Sequence, residues 1–407
     1  MGLIDEIVIH EEKPINEIVL PLLNVSRRLP DNTVNPKEPN NQVIAVTSAG
    51  EQTSFAYDRL IDTFENQIID PAHSFTFGCD YRIPALHGLI DANYINKLKM
   101  SPSYSEESFA HEYGGVWSIG SSTSWFNTET LEKRRKLKNP ENRAKNIKGC
   151  NYFYLLSTDV GRIHDQTVCC VFRVNILGSG KHVATLVNLK VLGRTVQTKP
   201  FAVQARDLKK IIKAFQPREV VIDTNGLGVG LADEMIKTQV DEHGVVYPPY
   251  GFKNDDVYRK IQPKEAEPLL YGIKANAELN SRMHSNTYAR IGEGTVRFLI
   301  SEQKAKTALL ETEKGRKMSP KDRILRLMPH ELTSDLFKEM ANLRLKPTGN
   351  QNQITLERVN ARYPKDKYSA FTMGLWRIKQ MEDEIIKKKV RRSGGARRLV
   401  FFTQGGN

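Results

Sequence analysis

The order of signals along the middle of the chain predicts a mixed α/β fold. Three β-rich runs follow one another, helical and strand patterns then alternate, and one long helix closes the series. A composition of 39% apolar and 26% charged residues belongs to a globular chain rather than a disordered one. With 407 residues there is length for two or three domains whose cores need no disulfide or metal staple.

Tyr152 to Thr158 is the first β-rich run and ends at Asp159. Thr167 to Ile176 and His182 to Leu192 are the next two, joined by the turn Gly178-Ser179-Gly180. Ala205, Leu208, Ile211, Ile212 and Phe215 then recur at helical spacing until Pro217 stops them. Glu219-Val-Val-Ile-Asp223 has the short apolar pattern of a buried strand, and Leu231, Met235 and Ile236 mark one face of a second helix. Val245 to Tyr247, before two prolines, is the candidate fifth strand. Far downstream, Tyr368, Phe371, Leu375, Ile378 and Ile385 lie on one face of a long helix beginning after Pro364.

Around this region the chain divides into residues 1–130, with short apolar runs and long polar loops, a basic linker at 131–149, the α/β region at 150–385, and a basic tail at 386–407. The net charge of +13 is concentrated. Lys133 to Lys148 holds eight basic residues and one acid, and Ile385 to Asn407 holds seven basic residues and no acid. The remainder is nearly neutral. Two basic runs flanking one compact region suit a polyanionic partner, nucleic acid above all, although a solvated linker and tail give the same composition. No apolar run approaches the ~18–20 residues of a membrane span. Charges at Asp5 and Glu6 stand where a signal peptide needs apolar residues. Cys79, Cys150, Cys169 and Cys170 have no zinc or CxxC spacing, and the adjacent pair is expected to face opposite sides of a strand.

Asp159 and Asp223 each end an expected strand, and Asp366 opens the late helix, with Asp165 six residues after Asp159. Carboxylates gathered at one sheet edge stay ionised together only if a cation neutralises them, and hard divalent ions such as Mg²⁺ or Mn²⁺ are the natural occupants. Two such ions suit phosphodiester cleavage. Each residue also has a local explanation: an Asx turn at Asp159, a turn opener at Asp223, a helix cap at Asp366. Gly226-Leu-Gly228-Val-Gly230 matches neither a dinucleotide nor a P-loop motif and is expected to be a tight strand-to-helix connection. The histidines, including His164, His182 and His284, show no HExxH pairing.

Leu156-Ser-Thr-Asp-Val-Gly-Arg-Ile-His-Asp165, Val220-Val-Ile-Asp-Thr-Asn-Gly-Leu-Gly-Val-Gly-Leu231 and Lys365-Asp-Lys-Tyr-Ser-Ala370 together resemble the nuclease domain of tailed-phage terminase large subunits. That resemblance implies an RNase H-like fold with a two-metal endonuclease site. Asp159, Asp223 and Asp366 stand at the positions of its metal ligands, and Asp165 at a supporting one. The same family carries an ATPase motor ahead of the nuclease. Met1 to Glu6 resembles its Walker B strand, with Asp5 as a Mg²⁺ ligand and Glu6 orienting water. Thr47-Ser-Ala-Gly50 resembles its coupling motif, and Ser105 to Trp125 the segment leading to the nuclease.

No GxxxxGK[ST] occurs in the 407 residues, so an RNase H-like nuclease is expected behind an incomplete P-loop ATPase domain. A split gene, an intron, a truncation or a separate N-terminal ATPase polypeptide would each account for that, and ATP would bind only if the missing part were supplied. Leu3, Ile4, Ile7 and Val43 to Val46 are then expected to face solvent or an unpaired edge. The resemblance further implies double-stranded concatemeric DNA as substrate, small terminase and portal proteins as partners, no membrane, and the host cytoplasm as location. Two alternatives stay open: another RNase H-like nuclease, such as a resolvase or transposase, and a non-catalytic DNA-binding packaging subunit.

Overall fold

The structure, a computed structural model, describes residues 2–24, 28–35, 42–52, 54–100, 106–118, 124–161, 166–193, 200–346, 353–361 and 363–392. The chain separates into two compact units, Met1–Ser124 with Arg358–Tyr363, and Trp125–Glu357 with Pro364–Asn407.

In the first unit, β1 (Gly2–Asp5) pairs in parallel with β2 (Val43–Val46), Gly2 opposite Val43 and Asp5 opposite Val46. Helix α1 (Phe55–Ile69) starts where the Ser54 side chain accepts from the Tyr57 N–H, a standard N-cap. Ile4, Ile7, Ile15 and Ala56 form a small core. The expected exposure is found at Leu3, Val43, Ile44 and Val46, with Leu3 67% exposed. Ile4 and Ile7 depart from it, because they turn inward onto that core.

The second unit contains α2 (Thr128–Lys133), β3 (Arg135–Leu137), β4 (Tyr152–Asp159), β5 (Thr167–Ile176), β6 (His182–Gly193), α3 (Phe201–Phe215), β7 (Glu219–Asp223), α4 (Gly228–Met235), β8 (Tyr250–Phe252), β9 (Glu267–Ile273), α5 (Ala277–Gly292), β10 (Val296–Leu299), α6 (Pro320–Ala341) and α7 (Asp366–Arg392). Its eight-stranded sheet runs β8-β9-β7-β4-β5-β6-β10-β3. The pairs β4–β5 and β5–β6 are antiparallel, whereas β7 runs parallel to β4 and β9 parallel to β7. A meander of three strands, extended on its first strand by two parallel ones, is the RNase H-like arrangement.

The strand period sorts side chains to the two faces. Leu155, Cys170, Phe172 and Val221 enter one core, beneath Leu336 of α6 and Phe371, Leu375 and Ile378 of α7. Leu156, Cys169, Val171, Val220 and Ile222 enter the other, against α3 and α4. Cys169 and Cys170 therefore face opposite sides, as the sequence implies. Gly374 lets α7 lie close on the sheet: a Cβ there would stand 2.4 Å from the Phe172 ring and 2.9 Å from Ser157 Cβ.

One expectation needs correction. The fifth strand of the core is β9, not Val245 to Tyr247; Val246–Tyr247 instead pairs with Gln239–Val240 in a separate ribbon. Residues 131–149 belong to the second unit, which begins at Trp125. Arg134 donates to the carbonyls of Ile291 and Gly292 at 2.8 and 2.6 Å, closing the C-terminus of α5. Arg135 pairs with Glu132 and lies 4.0 Å over the Phe337 ring, and buried Glu141 takes Tyr154 Oη and Arg173. Of the tail, α7 continues to Arg392, and residues 393–407 lie outside the described residues.

Candidate active site

Parallel pairing of β4 with β7 sets Leu155 opposite Glu219 and Thr158 opposite Ile222. One step further, Asp159 and Asp223 end the two strands side by side. Because Leu155 and Val221 belong to the core beneath α7, the two-residue period puts both aspartates on that same face. Asp366 opens α7 there. Its Oδ2 accepts from the Gln166 N–H at 2.9 Å, and Gln166 immediately precedes β5, whose Val168 is opposite Asp159. Three carboxylates distant in sequence thus belong to one end of the sheet. The fourth expected residue, Asp165, and His164 lie outside the described residues.

Each carboxylate also engages backbone. Asp159 Oδ1 accepts from the Val160 N–H at 3.1 Å, and Asp223 Oδ1 from the Asn225 N–H at 2.9 Å. The turn opener expected at Asp223 is therefore present. Asp366, by contrast, does not cap its own helix through that oxygen but reaches across to Gln166. Among the described residues no group of three His, Cys, Asp or Glu side chains stands close enough to share a metal ion. The backbone brings the residues to one edge; their side-chain oxygens do not converge. The donors are all carboxylate oxygens, the chemistry of hard divalent cations rather than soft ones. Burial raises the Asp223 pKa above its ordinary value, with the Asn225 N–H opposing the shift.

The glycine-rich segment forms the expected tight connection. Gly226 has φ +50°, Gly228 packs on the backbone of Asp223, and Gly230 leaves room for the Phe201 ring.

Sequence reasoning missed a further buried carboxylate, beside the start of α7. Glu339 of α6, 2% exposed, accepts from Lys367 Nζ at 3.0 Å and from the Tyr368 N–H at 2.9 Å. Burial pushes its pKa up to about 7 against the opposing pull of Lys367. A signal existed, since Glu339 falls on the apolar stripe of Leu332, Leu336, Met340 and Leu343, where an acid needs a partner. His284 was also unassigned: its Nδ1 lies 2.8 Å from Tyr368 Oη, and burial lowers its pKa to about 4, Lys365 adding to the shift.

In the first unit, Glu6 adopts a left-handed conformation, φ 49°, directly after β1. Its Oε2 accepts from Ser48 Oγ at 3.1 Å and Thr47 Oγ1 at 3.3 Å, so the strand-end acid meets the Thr47 to Gly50 turn. Asp5 is exposed.

No protein-family model matches the chain, and no curated protein does. Among solved structures, the large terminase nuclease of thermophilic phage G20c with bound cobalt is 14% identical, covering 63% of this chain and 97% of that one at a TM-score of 0.37. The HK97 bacteriophage large terminase is 13% identical, covering 92% and 69% at 0.36. The large terminase of thermophilic bacteriophage D6E, in complex with ADP, is 10% identical, covering 91% and 67% at 0.33.

Proposed function

We propose that the second unit is a metal-dependent endonuclease acting on double-stranded DNA, and that the chain is the corresponding part of a phage DNA-packaging large terminase subunit. The observation that carries this reading is the placement of Asp159 and Asp223 on adjacent parallel strand ends of an RNase H-like sheet, under the helix that begins with Asp366.

Asp159, Asp223 and Asp366 would hold Mg²⁺ or Mn²⁺, with Asp165 in support. A pair of such ions supplies water activation and leaving-oxygen stabilisation in phosphodiester hydrolysis. The chain's own part is to bring the three carboxylates to one end of the sheet, from which their side chains would turn onto an arriving metal. The Val160, Asn225 and Gln166 N–H groups each hold one oxygen of Asp159, Asp223 and Asp366 respectively. Burial of Asp223 disfavours its ionised form, and a neighbouring cation would restore it.

DNA would be held through phosphates by the exposed Lys136, Lys138, Arg143 and Lys148, which carry no base information. Arg134 and Arg135 of the same run are engaged within the protein and do not serve there. In the first unit, Asp5 and Glu6 would serve ATP only with a Walker A segment from elsewhere. Small terminase and portal proteins are the partners this reading implies.

Incubation with supercoiled plasmid and Mn²⁺ tests the proposal: the wild type should nick and linearise it, and Asp159→Asn with Asp223→Asn should abolish cutting. Cutting that survives both changes refutes the assignment. The backbone bonds of Asp159 and Asp223 also suit a DNA-binding packaging subunit with structural carboxylates, which would bind plasmid in a salt-sensitive manner without cutting it.

A further inference from the structure

We infer that Glu339 is a positioning residue for the metal site, acting through Lys367 and Tyr368 on Asp366; this rests on the nuclease reading above. The first turn of α7 is held on consecutive residues from different elements. Asp366 is tied to Gln166, Lys367 and Tyr368 are both tied to the single carboxylate of Glu339, and Tyr368 Oη meets His284. Tyr368 N–H is one of the donors that a helix start leaves without an intrahelical partner, so Glu339 caps α7 from another helix.

Stability is a poor explanation for such a pair. Lys367 and Glu339 have side chains 5% and 2% exposed, and a buried ion pair often stabilises no more than an apolar pair of equal volume. What the pair adds is direction. The bond to the Tyr368 N–H holds the backbone two residues after Asp366, and Lys367 Nζ holds the carboxylate that accepts it, so the pair bears on where the Asp366 Cβ points. Groups that orient metal ligands in this way typically change metal affinity ~10–100-fold when removed.

Three variants of the full chain separate positioning from packing: Glu339→Gln, Lys367→Met, and the double variant Glu339→Met with Lys367→Met. Mn²⁺ binding is followed by electron paramagnetic resonance, folding by thermal melting, and cutting by plasmid cleavage at graded Mn²⁺. Glu339→Gln should raise the Mn²⁺ needed for half-saturation at least ~10-fold and shift the cleavage curve equally. The double variant should regain the wild-type melting temperature yet keep weakened Mn²⁺ binding, since Tyr368 N–H still lacks its acceptor. A double variant that binds Mn²⁺ like the wild type overturns the inference, as does one that fails to fold, which assigns the pair to structure alone. A wild type that binds and cuts, beside an equally competent Glu339→Gln, removes only this inference. A wild type that neither binds nor cuts removes the nuclease reading with it.

Discussion

A Cβ atom on Gly228 would lie 1.8 Å from the carbonyl oxygen of Asp223, so no other residue fits at the start of α4 without moving the end of β7. Gly228→Ala is therefore expected to displace Asp223 while leaving every carboxylate in the chain. Overpacking of this kind costs about 1–3 kcal/mol. Cleavage should fall well beyond what the drop in urea midpoint explains. A variant that is destabilised yet cuts at the wild-type rate would show that Asp223 tolerates the shift.

Arg377 joins α7 to the foot of β7, donating to both oxygens of Glu219 at 2.7 and 3.2 Å and lying 4.1 Å over the Tyr271 ring. Glu219 also takes Lys253 at 3.1 Å, but that lysine is one-third exposed. Arg377→Ala leaves a buried carboxylate short of its main partner and should cost ~3 kcal/mol or more. Arg377→Ala with Glu219→Gln should recover part of that loss in denaturant titrations.

His284 gives a pH dependence of known sign. Burial holds its folded pKa near 4, below the unfolded value near 6.5, so the unfolded chain binds the extra proton between them. The contribution of neutral His284 is complete above pH 6.5 and is lost as pH falls towards 4, at up to ~1.4 kcal/mol per pH unit. Thermal melts across that window should show a shallower acid limb for His284→Phe than for the wild type.

Glu6 bonds to Ser48 and Thr47, and no phosphate-cradling loop of the GxxxxGK[ST] type occurs in the sequence. The purified chain should turn over no ATP by itself. Turnover that disappears with Glu6→Ala would contradict this expectation.

The first four strands of the core and the long helix were legible because their apolar periods are clean and three of their ends carry aspartate. The fifth strand was not. Its segment Glu267–Ile273 contains Pro268 and Gly272, residues that ordinarily argue against a central strand. Pro268 is tolerated near its start, and Gly272 lies against Thr224 and Phe252. In the run 133–148, charge signals solvent only on average. Arg134 and Arg135 use their guanidinium groups on carbonyls and a ring more than 150 residues away, which no local pattern records. Glu339 offered only the signal of an acid on an apolar stripe, because its partners Lys367 and Tyr368 come from a different helix.

Cys169 and Cys170 are consecutive, fully buried, and sealed in opposite cores, while Cys79 and Cys150 are exposed. With the exposed pair replaced by serine, the protein carries two neighbouring thiols timed by different events. A thiol reagent reaches Cys169 when the α3–α4 layer opens and Cys170 when the α7 layer does. Mass-resolved labelling would clock the two halves of the sandwich separately from a single peptide, and any ligand that clamps α7 should slow one clock and leave the other running.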